Sequence, residues 1–154
     1  MPINRIFITL ATLLLVPLFP TARTVAQGKL AAAKSIRCTF PTMATGSWKD
    51  GKGEAAVKPA NLMLEFESIN TDEGSAQLKG GYGTYDIIVR LAGTYLHFIQ
   101  AFRDGPLYAT TVFEMESSRG KLRAVHSRHE YYPTALPGFT SSPEQYYGEC
   151  EIMN

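Results

Sequence analysis

The residues with the most chemical reach lie in one short run, Ala124-Val125-His126-Ser127-Arg128-His129-Glu130. Read as a β-strand, in which successive side chains leave opposite faces, the run sends His126, Arg128 and Glu130 one way and Ser127 and His129 the other. His126 and His129 therefore cannot chelate one ion as helically spaced histidines do, so no metal site is expected, and no motif calls for a cofactor. Arg128 beside His126 has the chemistry of an anion site, since a planar guanidinium binds carboxylate or phosphate through paired hydrogen bonds and an imidazole changes charge near neutral pH. Glu130 on the same face offers Arg128 an internal partner instead. A structural ion pair is the expected outcome.

Nucleophilic chemistry needs a serine held by a base that a third group orients, together with donors for an oxyanion. Ser127 and the serines near 141 lie in no Gly-x-Ser-x-Gly elbow, and Glu65 and Glu67 alternate with apolar residues as a solvated face does, without the marks of a glycosidase carboxylate pair. A small hydrolase or isomerase using His126, His129 or Ser127 is thus the alternative to a binding role. His97, on an earlier strand, and Trp48, between Gly46-Ser47 and Lys49-Asp50-Gly51, complete the side chains suited to ligand contact. The ligand-binding candidates are Trp48, His97, His126, Arg128 and His129.

The elements that position these residues are strands. Ile36, Cys38 and Phe40 share a face, as do Leu62, Leu64 and Phe66, and the turn Thr71-Asp72-Glu73-Gly74 leads back through Ala76 and Leu78. Tyr85, Ile87, Val89 and Leu91 follow, then Thr94–Phe102, Leu107–Met115, Leu122–Tyr131 and Gln145–Ile152, for about eight strands in a meander. An Ala-rich piece at Lys29–Lys34 reads as a frayed helical turn. Two connections exceed what a hairpin needs, Pro41–Ala60 and Tyr132–Glu144, and long loops on a rigid scaffold often carry binding residues. The many tyrosines are expected to line the core or the barrel.

The ends of the chain constrain the rest. Arg5, an apolar run over Ile6–Phe19 and small residues ending Thr24-Val25-Ala26 have the order of a secretory signal, so residues 1–26 are expected to be removed and 27–154 to form one domain. An uncleaved anchor is the alternative, and a later cut after Ala31-Ala32-Ala33 is open. Cleavage after Ala26 removes Arg5 and Arg23 and leaves 13 basic against 14 acidic residues, which disfavours nucleic acid and anionic membranes as partners. The two cysteines, Cys38 and Cys150, are expected to pair in the oxidising compartment beyond the export step, periplasmic or extracellular. Each lies on the core face of its strand, and bridged Cα atoms sit about 5.5 Å apart. First and last strands must then be neighbours. The expected fold is all-β, a closed or nearly closed small barrel.

Gly46-Ser47-Trp48 resembles the Gly-x-Trp signature of lipocalin and avidin-like barrels, which implies a small apolar ligand in the barrel mouth. Over most of the chain, Leu96-His97-Phe98-Ile99, Thr110-Thr111-Val112-Phe113, the His126 run and Gln145-Tyr146-Tyr147-Gly148-Glu149-Cys150 look like a group of small exported proteobacterial β proteins of uncharacterised function. That resemblance implies export and the terminal disulfide. The expected function is a secreted or periplasmic non-enzymatic binding module for a small ligand or a protein partner, without stable membrane insertion once the signal is cut.

Overall fold

A computed structural model of the chain describes residues 28–80, 83–134 and 141–153. The leader expected over residues 1–26 and part of the connection 132–144 lie outside the described residues. A helical turn, α1 (Lys29–Ala32), precedes eight strands: β1 (Ser35–Lys49), β2 (Lys52–Asn70), β3 (Ser75–Gly80), β4 (Gly83–Ala92), β5 (Tyr95–Ala101), β6 (Leu107–Glu116), β7 (Leu122–His129) and β8 (Glu144–Met153). Each pairs antiparallel with the next, and β8 returns to β1, so the meander is hydrogen-bonded as a closed ring. The disulfide joins the strands that close it. Cys38 faces Cys150 in register, with Cα atoms 4.0 Å apart.

The segment Pro41–Ala60 is not a loop. β1 and β2 run on as a single long hairpin, paired without a break from Thr45↔Ala56 to Lys49↔Lys52. The turn is Asp50-Gly51, with φ of 51° and 76°, the doubly positive pair of a type I′ turn. That Asp-Gly dipeptide was the available signal. The arms around it lack apolar alternation because both of their faces meet solvent, as the continuous exposure of Lys52–Pro59 shows.

Two irregularities re-aim side chains. The pairing of β1 shifts between Phe40 and Thr42, so Ile36, Cys38 and Phe40 point inward before the shift and Met43 packs on the core after it. In β2, Ser68 takes a φ of 52°, and the inward series Leu62, Leu64, Phe66 resumes at Ile69. The core is built on Phe40, Phe66 and Phe98, the last two stacked 3.9 Å apart, with Leu30 of α1 fully buried among the same residues.

Register stacks the interior in rows that change character along the barrel. Leu64, Cys38, Cys150 and Leu122 form an apolar row around the disulfide, and Val112, Ala124 and Gly148 form the next. Then come Phe98, Thr110, His126, Tyr146 and Met43, and beyond them Gln100, Tyr108, Arg128, Glu144 and Thr45. One end of the barrel is apolar and the other is polar. A void of about 10 Å³ between Phe98, Gln100 and His126 leaves room for roughly one water molecule. The interior is packed around Phe40, Phe66 and Phe98.

Candidate functional site

Of the five candidates, the structure brings together two, His126 and Arg128, inside the polar end of the barrel. Neighbouring strands supply Thr110 and Tyr108 from β6 and Tyr146 and Glu144 from β8 at the same levels. The Arg128 guanidinium lies between the Tyr108 and Tyr146 rings, 5.3 and 5.2 Å from their centroids, within the reach of a cation–π contact. Its ion-pair partner is Glu144, at 3.8 Å, where Glu130 was expected. β7 ends at His129, so Glu130 has left the strand, and it accepts the Tyr108 hydroxyl instead.

The proton on His126 can be placed by elimination. Arg128 Nε can only donate, and it lies 3.3 Å from His126 Nε2, so Nε2 accepts. The ring proton is then on Nδ1 and is donated to Thr110 Oγ1 at 2.8 Å. Burial first, and the adjacent Arg128 charge second, lower the His126 pKa to about 3. Tyr146, pushed up to about 12 by burial and by its 2.5 Å hydrogen bond to Glu144, stays a donor. Burial and the Glu130 contact raise Tyr108 as well. A neutral imidazole with both nitrogens engaged has no free lone pair for base catalysis at neutral pH.

The remaining candidates lie apart from this pair, although Ser127, Arg128 and His129 together line a further pocket of about 300 Å³ with Ala44, Gly46 and Gln145. Ser127 and His129 leave the outer face of β7, opposite to His126, and among the described residues no hydrogen bond joins Ser127 to either histidine. His97 is also outside, 3.0 Å from Thr111 Oγ1 and stacked on Tyr95. Trp48 is 58% exposed on the hairpin arm and meets Tyr131 edge-on, with ring centroids 5.3 Å apart.

The tyrosines correct the expectation of a lined core. Tyr146 is buried, but Tyr85, Tyr95, Tyr131, Tyr132 and Tyr147 are largely exposed. Two of them mark a site that reading the sequence missed. On the outside of the sheet, Pro41, Tyr95, Phe113, Met115, Val125 and Tyr147 line a groove of about 710 Å³, rimmed by Arg119, Arg123 and Glu149. Tyr95 and Phe113 pack edge-on at 5.5 Å. Pairing irregularities border it on two sides, in β1 at Phe40–Thr42 and between β6 and β7 at Val112–Glu116, and such bulges bend a strand and re-aim its side chains. The missed signal was a breach of alternation: Val112-Phe113 and Tyr146-Tyr147 each place a large residue on both faces of a strand.

Comparison with protein-family models, with curated proteins and with solved structures found no match to this chain. Among the described residues no group of acids, histidines or cysteines is placed to hold a metal ion, and no helix is long and apolar enough to cross a membrane.

Proposed function

We propose that this chain is an exported, non-enzymatic binding module that takes a small apolar ligand on the outside of its barrel, in the groove between Tyr95, Phe113 and Tyr147. The observation that carries this reading is the contrast of volumes, about 10 Å³ inside against about 710 Å³ outside. Ligand pockets commonly measure about 300–1,000 Å³ and are mainly apolar with a few placed polar groups. The groove meets that description and the interior does not. The barrel end that carries Tyr108, Arg128 and Tyr146 holds charged and hydrogen-bonded groups, which suit an apolar ligand less well. Export is supported by the disulfide, by the order of the leader and by the resemblance to small exported β proteins. A cut after Ala26 suits the fold better than one after Ala33, because the later cut would take away Leu30, a fully buried core residue.

A neutral fluorescent probe such as N-phenyl-1-naphthylamine tests the groove. Saturable enhancement at one site is expected, with affinity at least tenfold weaker in the double variant Phe113→Ser, Tyr147→Ser, whose unfolding temperature should stay close to that of the wild type. Equal probe binding by wild type and double variant would place the ligand elsewhere.

A further inference from the structure

Charge distinguishes the walls of the groove. Arg123 of β7 stands directly opposite Glu149 of β8 in register, the arrangement that normally makes a cross-strand ion pair. Glu149 is instead committed to Arg119, whose Nη2 and Nε donate to the same oxygen at 2.8 and 3.0 Å. That contact, the first cause of its lowered pKa, favours the ionised carboxylate. Arg123 therefore lies along the groove with Nη1 3.8 Å from the Met115 sulfur, and among the described residues no carboxylate stands within ion-pair distance of it. The groove holds two arginines against one glutamate.

We infer that the ligand is a single-chain amphipathic monoanion, its apolar body against Tyr95, Phe113 and Tyr147 and its carboxylate, or a head group of the same charge, on Arg123. This rests on the groove being the binding site. A guanidinium fork facing an apolar surface suits such a molecule, because planar paired hydrogen bonds orient the head while burial holds the chain. A cationic amphiphile of equal length would bring like charges together on the same wall.

Displacement of the neutral probe by decanoate, decanol and decyltrimethylammonium, all below their aggregation concentrations, reads the head group alone. Decanoate is expected to displace at least tenfold more effectively than decyltrimethylammonium, with decanol between them. Arg123→Gln should reduce decanoate to the level of decanol, each compared by displacement against the variant's own measured probe affinity. Equal displacement by all three, or a preference that survives Arg123→Gln, overturns the inference and leaves the groove reading standing. Absence of binding by both probe and decanoate, the latter checked by calorimetry, overturns the two together. Arg123-dependent sedimentation with phosphatidylglycerol vesicles in the absence of decanoate binding would assign the patch to a membrane surface instead, and would also overturn it.

Discussion

His126 and Arg128 show how one strand can hold a charge inside a barrel. Arg128 is placed between two aromatic faces and near one carboxylate, and the neighbouring imidazole remains neutral so that it can accept from the guanidinium. The arrangement has a pH signature. The folded pKa of His126, about 3, lies below its ordinary 6.5, so on acidification the unfolded chain takes up this proton first. The stability contributed by neutral, buried His126 is fully present above about pH 6.5 and is lost progressively down to about pH 3, at up to about 1.4 kcal/mol per pH unit. His126→Gln keeps an acceptor for Arg128 and a donor for Thr110 but does not titrate. The stability advantage of wild type over His126→Gln, measured by urea unfolding, should shrink by about 2 kcal/mol or more between pH 7 and pH 4. Parallel stability curves would show that His126 titrates in the fold as it does in the unfolded chain.

Among the elements, β1 carries the most consequence. Its bulge at Phe40–Thr42 changes which residues face inward and presses the strand onto β8 at Gly148. A Cβ at Gly148 would lie 2.0 Å from the Thr39 carbonyl oxygen and 2.8 Å from the Phe40 Cα, both backbone atoms that cannot turn aside. Gly148→Ala is expected to destabilise the protein by about 2 kcal/mol or more, the scale of overpacking in a closed core. Gly53→Ala is the internal control, since nothing lies within 4 Å of its added Cβ, and its effect should stay within about 0.5 kcal/mol. Chemical denaturation of both variants checks the pair, and equal stabilities would mean that β1 does not approach β8 this closely. The same strand marks the limit of reading elements from polarity. Its buried half, Ile36–Phe40, alternates cleanly, whereas beyond the bulge Thr42–Gly46 are half-buried throughout and Ser47–Lys49 are exposed, so burial there imposes no alternation.

For the molecule as a whole, the ring closes through β1 and β8, and the disulfide ties that seam across a separation of 112 residues. A crosslink of this span removes much of the freedom of the unfolded chain, and native bridges in small exported domains are typically worth about 2–5 kcal/mol. Cys38→Ser and Cys150→Ser should each cost an amount in that range and agree within about 1 kcal/mol, since either change opens the same loop. Thiol titration under native conditions should find no reactive cysteine in the wild type. A large asymmetry between the two variants would indicate that packing around one sulfur, and not the crosslink, carries the effect.

The sequence by itself determined the class of fold, the order of the strands and the closure of the ring. Alternation is a local property of each strand, and two cysteines on the core faces of the first and last strands leave those strands little choice of neighbour. It also determined that His126 and Arg128 share a face, because side-chain direction in a strand repeats every two residues. Only the tertiary structure decided who their partners are. Register set Arg128 opposite Tyr108 and Glu144, and the end of β7 at His129 released Glu130 to Tyr108. The groove, too, belonged to the tertiary structure alone. Its residues come from six different strands, and the side chains that line it look ordinary each in its own segment. Their convergence depends on cross-strand register and on bulges, which arise from the pairing of distant segments and have no counterpart in the local pattern of any one of them.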